Sequence, residues 1–137
     1  MNARAFFDSN LLVYLFDRAD QAKSEVAAAV LRSHAPVVSA QVLSEFYWVT
    51  TRKLLCRLPP TTAQAAVAEF ANFEVVSLDS TLVSRAIETS QRCELSYWDA
   101  LIVEAAASAG CEELLTEDLA AGSTLRGVRI VNPFAGM

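Results

Sequence analysis

The stretch Arg4-Ala5-Phe6-Phe7-Asp8-Ser9-Asn10 decides the fold that the sequence predicts. Its apolar residues are typical of a short strand buried on both faces, and an Asp or Ser directly after them is a favoured helix N-cap. The stretch therefore predicts a strand that delivers Asp8 to its carboxyl end, followed at once by a helix. Because open parallel sheets bind ligands outside the carboxyl ends of their strands, Asp8 is placed where chemistry is expected.

The rest of the chain repeats this alternation of strand and helix. Apolar periodicity predicts helices over residues 9–17, 21–33, 40–55, 61–71, 79–92 and 97–109, and four further strands over residues 37–39, 73–78, 113–116 and 128–131. Such alternation favours right-handed crossovers and a parallel sheet covered on both faces. We expect a three-layer α/β/α sandwich around a five-stranded parallel sheet in the order 3-2-1-4-5, which sets strands one and four side by side.

Local signals refine three of these helices. Ser39 is the expected N-cap of the helix over residues 40–55, and Thr61-Thr62-Ala63-Gln64 resembles a capping box behind Pro59-Pro60. The segment 97–109 is apolar nearly all round, so we expect the most buried helix there.

Length and composition describe one globular domain over residues 1–137, with a hydrophobic fraction of 53% and a charged fraction of 20%. Neither a membrane span nor a signal peptide is indicated, so we expect a cytoplasmic protein. Cys56, Cys93 and Cys111 are odd in number and never form a C-x-x-C pair, which favours buried reduced thiols over disulfides or a zinc site.

Three further acids stand where a predicted helix starts or a predicted strand stops: Glu45, Asp99 and Asp118. Three of the four acids also have a purely structural explanation. Asp8 could serve simply as a helix N-cap, Asp99 fits the S-x-x-D capping pattern from Ser96, and Asp118 could be a turn residue. Glu45 should be either exposed or bound to something, since an unpaired buried glutamate is costly.

The combination of the four acids favours a metal site. Carboxylates gathered at one sheet edge repel one another, by about 4 kcal/mol for a pair about 4 Å apart at an effective dielectric near 20. Such a cluster needs a counter-charge, and oxygen ligands select Mg²⁺ or Mn²⁺ over zinc. The net charge of −5 at first opposes a nucleic-acid partner, but neutralising these four acids would leave the chain close to neutral.

Five short motifs in order span nearly the whole chain: Asp8-Ser9-Asn10, Ser44-Glu45, Tyr97-Trp98-Asp99-Ala100, Leu115-Thr116-Glu117-Asp118-Leu119 and Ile130-Val131-Asn132-Pro133-Phe134. In their order and spacing they resemble a PIN-domain ribonuclease, and specifically a VapC-type toxin of a bacterial toxin–antitoxin pair.

The resemblance implies Mg²⁺- or Mn²⁺-dependent cleavage of RNA phosphodiesters that leaves a 5′-phosphate and a 3′-hydroxyl. It also implies a homodimer, and a heterooligomer with an inhibitory VapB-type antitoxin. Carried over by position, the site acids that bind metal and catalyse would be Asp8, Glu45, Asp99 and Asp118. The supporting residues would be Ser9, Asn10 and Thr116, with Glu117 as a stand-in for, or an addition to, Asp118.

The densest basic cluster, Arg52, Lys53 and Arg57, could follow a phosphate backbone or could be an exposed helix end favoured by the macrodipole. Two other functions stay open at this point. A receiver-type phosphoacceptor domain also has an acidic Mg²⁺ pocket, although it would need paired acids after the first strand. A catalytically silent PIN-fold binding module would be expected to lack one or more of the four acids.

Overall fold

A computed structural model describes residues 2–137 of the chain. Its strands are β1 (Arg4–Phe7), β2 (Ala35–Ser39), β3 (Glu74–Val76), β4 (Glu113–Leu115), β5 (Thr124–Leu125) and β6 (Val128–Val131). Its helices are α1 (Ser9–Tyr14), α2 (Gln21–Ser33), α3 (Ala40–Arg52), α4 (Pro60–Phe70), α5 (Ser80–Arg92) and α6 (Tyr97–Ser108).

The strands form one sheet in the order β3-β2-β1-β4-β6-β5 across the described residues. The pairs β3–β2, β2–β1, β1–β4 and β4–β6 are parallel, which confirms the predicted α/β sandwich and its 3-2-1-4-5 order of parallel strands. The expectation of five strands was incomplete, because β5 adds a sixth strand antiparallel to β6. The chain reverses between them at Arg126 and Gly127, whose φ angles of 52° and 78° lie in the left-handed region that tight hairpin turns need.

The central position of β1 and β4 explains their composition. Both strands have neighbours on each side and helices on each face, so Phe6, Phe7, Leu114 and Leu115 are almost wholly buried. The order of the sheet changes direction between these two strands, and their carboxyl ends therefore meet at the switch point where open α/β sheets bind ligands.

The helix α6 is the most buried helix, as predicted, with a continuous run of buried residues from Ala100 to Ala106. That run includes one charged residue, Glu104, whose side chain is only 2% exposed. Glu104 Oε2 accepts hydrogen bonds from Thr89 Oγ1 at 2.8 Å and Arg126 Nε at 2.9 Å, which offset the cost of burying a carboxylate. No helix among residues 2–137 has the length and apolar character needed to cross a membrane.

Local capping fixes several helix starts as the sequence predicted. Asp8 caps α1, Ser39 caps α3 and Ser96 caps α6, each by accepting a hydrogen bond from a backbone amide in the first turn. Asp20 caps α2, whose predicted limits agree with those observed. The helices α1 and α3 end three residues earlier than predicted.

Several local expectations were wrong. The helix α4 begins with Pro60 behind an N-cap at Pro59 that makes no side-chain hydrogen bond, so Thr61 does not start a capping box. Pro already has the helical φ and lacks an amide to satisfy. The strand β2 begins two residues before the predicted start and includes Pro36. Pro36 has no amide hydrogen to donate, and none is needed on the side of β3 because that strand starts opposite the next residue, Val37. Cys56 is exposed, whereas buried thiols were expected.

Candidate acidic site

Asp8 lies at the carboxyl end of β1 and is only 7% exposed. Its backbone amide donates to the carbonyl of Leu115 at 3.0 Å, which extends the β1–β4 ladder by one residue. One carboxylate oxygen, Oδ1, accepts from the Ser9 amide at 2.7 Å, and the other, Oδ2, accepts from Thr116 Oγ1 at 2.8 Å. A carboxylate has about four acceptor positions, so each oxygen of Asp8 keeps capacity for another donor or a cation.

The pKa of Asp8 is raised to about 6 from an ordinary 3.8. Burial is the largest cause, because it penalises the charged form. The hydrogen bonds from Thr116 and Ser9 oppose the rise, while the negative charges of Glu45 and Asp118 add to it. Asp8 is thus a buried carboxylate whose pKa is affected by the charges of two other acids.

The loop after β4 brings Asp118 to Asp8 through Thr116. Thr116 is fully buried, and its hydroxyl oxygen accepts from the Asp118 amide at 3.1 Å while it donates to Asp8. Asn10, on the first turn of α1, donates from Nδ2 to Asp118 Oδ2 at 3.0 Å and makes a longer contact of 3.4 Å with Thr116 Oγ1. The ends of β1 and β4 are therefore joined by polar contacts as well as by the sheet.

Asn10 also presents a buried amide oxygen to this site. Its Oδ1 atom is the one buried side-chain oxygen or nitrogen without a hydrogen-bond partner anywhere in the described part of the chain. An unpartnered buried acceptor is costly and calls for a donor, a water or an ion. The oxygen therefore marks a place where a ligand would be favourable.

Glu45 approaches the site from the second turn of α3. Gln41 lies one turn earlier and donates from Nε2 to Glu45 Oε2 at 3.4 Å. The pKa of Glu45 is raised, first by burial and then by the charges of Asp118 and Asp99, while hydrogen bonding from Gln41 and Ser9 opposes the rise.

Asp99 lies in the first turn of α6, where its amide donates to Ser96 Oγ at 3.1 Å. Its carboxylate is not the capping group, so capping by Ser96 leaves it available to the cluster. Gln41 links this turn to α3 as well, because Nε2 also donates to the carbonyl of Trp98 at 3.3 Å. Trp98 itself is exposed.

The four predicted acids lie on four separate segments, and each takes part in at least one pairwise charge effect with another. Asp8 is affected by Glu45 and Asp118, and Glu45 in turn by Asp118 and Asp99. However, no three His, Cys, Asp or Glu side chains between residues 2 and 137 are close enough together to hold a metal ion as they stand. The donor set, carboxylate oxygens and the unpartnered Asn10 oxygen, fits a hard divalent cation.

Glu117 lies next to Asp118 but makes different contacts. Its Oε2 atom pairs with Lys23 Nζ at 2.9 Å, and its Oε1 atom accepts a short hydrogen bond from the Tyr14 hydroxyl. Lys23 Nζ also lies 4.9 Å from the centroid of the Tyr14 ring. These contacts fasten the loop after β4 to α1 and α2, so Glu117 holds the loop that carries Asp118 while its own carboxylate is paired elsewhere.

The basic cluster is exposed at the end of α3 and in the segment after it, at Arg52, Lys53 and Arg57.

Gln41 is a site residue that was not predicted from the sequence. Its spacing of four residues before Glu45 was the available signal, because side chains four residues apart lie on one face of a helix.

A family model described as the PIN domain matches residues 5–121 of the chain. The match covers β1 through the loop after β4, and it includes all four acids. No curated protein is similar enough to count as a match.

Solved structures similar to the chain include a toxin–antitoxin complex from Klebsiella pneumoniae, at 20% identity and a TM-score of 0.72, with 95% of this chain and 98% of that chain covered. Another is VapC20 from Mycobacterium tuberculosis, a toxin that cleaves the sarcin-ricin loop, at 21% identity and a TM-score of 0.65, with coverage of 80% and 86%. A third is DNA-bound VapBC from Salmonella typhimurium, at 20% identity and a TM-score of 0.61, with coverage of 93% and 96%. At these identities the likeness shows the fold alone.

Proposed function

This chain belongs to the PIN-domain family, and from that membership and its acidic site we propose that it is a Mg²⁺- or Mn²⁺-dependent endoribonuclease. We further propose that it acts in the cytoplasm as the toxin of a type II toxin–antitoxin pair. The observation that carries the proposal is the hydrogen-bonded link from Asp8 through Thr116 to Asp118 at the ends of β1 and β4, beside the unpartnered amide oxygen of Asn10.

In the proposed reaction, a water oxygen bonds to phosphorus and the bond from phosphorus to the 3′-oxygen breaks. The proton that the water loses ends on that 3′-oxygen, so the products carry a 5′-phosphate and a 3′-hydroxyl. When bound, Mg²⁺ or Mn²⁺ would lower the pKa of water and offset the charge that develops on the phosphate.

The residues of the chain divide this work. Asp8, Asp99 and Asp118 would hold the cation, and Thr116 keeps the Asp8 carboxylate in one orientation through its 2.8 Å hydrogen bond. Glu45 would help to hold the cation or would orient the attacking water, for which its raised pKa is suitable. Asn10 holds Asp118 and would offer its free oxygen to the cation or to a water.

Structural relatives include complexes of a toxin with its antitoxin, which supports a VapB-type antitoxin as the protein partner. We propose that the toxin is a homodimer and that the inhibited form is a heterooligomer with the antitoxin. The strand order argues against the receiver-type alternative. The first four strands of this sheet follow the order 3-2-1-4, whereas a receiver sheet has the order 2-1-3-4-5.

The test is cleavage of short unstructured RNAs by the purified chain, with Mn²⁺, with Mg²⁺ and with EDTA. We expect cleavage that EDTA abolishes, and a loss of at least about 100-fold in Asp8→Asn with the fold intact by circular dichroism. The matched control is Asp79→Asn, because Asp79 also caps a helix after a strand and should leave cleavage unchanged.

Analysis of the RNA ends completes the test. The proposal requires a 5′-phosphate and a 3′-hydroxyl, which ligation and 5′-phosphate-dependent exonuclease digestion detect. Cleavage that resists EDTA, or that persists in Asp8→Asn, would contradict it. RNA binding without any cleavage would favour the catalytically silent binding module.

A further inference from the structure

One face of α3 joins the acidic site to an exposed aromatic and basic pair. Gln41, Glu45, Trp48 and Arg52 are separated by four, three and four residues, so they follow one another along the same side of the helix. Gln41 contacts Glu45 at the end near the site. At the far end, the guanidinium carbon of Arg52 lies 4.4 Å from the centroid of the Trp48 ring.

Trp48 is unusual because it is large, apolar and 51% exposed. An indole is normally mostly buried, and an exposed one is available to contact a partner. It also lines an apolar groove of about 480 Å³ between α3 and α4, together with Leu43, Ser44, Tyr47, Gln64 and Val67.

The surroundings of Trp48 are basic. Arg52 and Lys53 end α3, and Arg57 follows in the next loop, all three exposed. None of these three cations pairs with an acidic side chain among the described residues. A strongly hydrophobic protein partner would not need this charge, whereas a polyanion would.

We propose that Trp48 and Arg52 form a subsite for single-stranded RNA next to the acidic cluster, in which the indole stacks on a nucleobase and the guanidinium binds a phosphate. The subsite rests on the proposed ribonuclease function and adds a determinant of substrate binding to it. Aromatic rings stack on any base, and nearby Arg or Lys follows the backbone. Single-stranded RNA offers both groups together because its bases are free to splay out.

The position of the subsite suits a strand bound at the acidic cluster. Trp48 lies three positions after Glu45 on the helix, a rise of about 4.5 Å along the axis at about 1.5 Å per residue. A strand with its scissile phosphate at the cluster would therefore place a base on Trp48 within one or two nucleotides. The basic residues also lower the repulsion that four acids impose on an approaching polyanion.

The test uses fluorescence anisotropy of two labelled probes in EDTA, where no cleavage is expected. One probe is a single-stranded oligoribonucleotide and the other is an abasic ribose-phosphate chain of the same length. We expect Trp48→Ala to weaken binding of the oligoribonucleotide about 10-fold and of the abasic chain less than twofold, and Trp48→Phe to retain most of the affinity. Arg52→Gln should weaken both probes and reduce the slope of log affinity against log salt by about one.

Two variants on α5 serve as matched controls. Ile87→Ala removes another exposed apolar side chain, and Arg92→Gln removes another arginine in the last turn of a helix. Both should leave binding and cleavage unchanged. In steady-state cleavage with Mn²⁺, Trp48→Ala should lower kcat/KM about 10-fold, mainly through KM.

An unchanged affinity and KM in Trp48→Ala would overturn the subsite. So would an equal loss of affinity for the abasic probe. If Trp48→Ala instead lowered the sedimenting mass with RNA affinity unchanged, Trp48 would be a protein contact and the proposal would fail. Failure of the nuclease proposal is distinguishable, because wild-type protein would then cleave no RNA while the binding measurements would still report on Trp48.

Discussion

The hydroxyl of Thr116 donates a 2.8 Å hydrogen bond to Oδ2 of Asp8 across 108 residues of chain. Asp8 comes directly after β1 and Thr116 directly after β4, and these two central strands are neighbours in the sheet. The hydrogen bond therefore joins the strand ends at the switch point. Thr116 is fully buried, so this contact is shielded from water and specific to the folded state.

Thr116→Val keeps the shape of the side chain but removes the donor to Asp8 and the acceptor for the Asp118 amide. We expect a loss of about 1–3 kcal/mol in the free energy of unfolding, because a buried carboxylate loses a hydrogen bond. The pKa of Asp8 should rise further, since the Thr116 hydrogen bond lowers it. Denaturant unfolding should therefore show a larger loss at pH 8 than at pH 5, and Thr116→Ser, which keeps the hydroxyl, should stay near wild type. An equal loss in both variants would mean that packing, not the hydroxyl, is responsible.

The stability of the metal-free protein should fall as the pH rises from about 4 to about 6. Asp8 has a pKa of about 6 in the folded protein against 3.8 when unperturbed, so the unfolded chain releases its proton first. Above pH 6 the full penalty applies, about 3 kcal/mol for a shift of this size. The raised pKa of Glu45 acts in the same direction.

Asp8→Asn should remove the Asp8 part of this dependence. In EDTA, the gain in free energy of unfolding over wild type should grow by about 2.4 kcal/mol between pH 4 and pH 7. Urea titrations at several pH values provide the measurement. A difference between the two proteins that stays constant with pH would mean that Asp8 is not desolvated as described.

Millimolar Mg²⁺ or Mn²⁺ should raise the Tm, because the cation would bind the folded cluster and little of the unfolded chain. At a concentration 100 times the Kd the stabilisation is about 2.7 kcal/mol, which corresponds to several degrees. Calorimetry should show a smaller increase in Glu45→Gln and Asp118→Asn than in Asp79→Asn, which lies outside the cluster. An identical increase in all three variants would place the bound cation somewhere else.

Arg126→Met should destabilise the fold without affecting cleavage. It leaves the buried Glu104 carboxylate with Thr89 as its remaining hydrogen-bond donor. We expect a loss of up to about 3 kcal/mol, reduced by the exposure of half of the Arg126 side chain to solvent. Arg92→Met breaks the exposed pair with Glu88 and should cost less than about 1 kcal/mol by thermal unfolding. Equal losses of unfolding free energy in Arg126→Met and Arg92→Met would show that Arg126 does not stabilise the buried Glu104 carboxylate.

The sequence predicted those elements whose signals are local. The helix α2 could be delimited because its apolar residues recur at helical spacing. The four acids could be proposed together because each stands at a strand end or in the early turns of a helix, and the predicted strand order brings two of them to one edge.

Elements without a local signal were missed. The strand β5 has two residues, Thr124 and Leu125, which is too short for any alternation of apolar and polar positions. The start of α4 was misplaced because Pro60 begins a helix through its fixed φ, while the Thr and Gln residues behind it only resemble a capping box.

Contacts between distant residues were also beyond the sequence. Glu104 lies in a segment whose apolar character suggested nothing but core, and its partner Arg126 comes from the hairpin 22 residues later. A single acid within a buried helix was the available signal, because a buried carboxylate needs a partner.

The two outermost strands are short, with three residues in β3 and two in β5. Few backbone groups are therefore free on either flank to recruit a foreign strand, which limits aggregation of a chain that is more than half hydrophobic. Glu74 and its partner Arg4 add charge to the β3 flank. Lengthening the β5–β6 hairpin with alternating valines should consequently make the protein prone to fibril formation while leaving the acidic site unaltered.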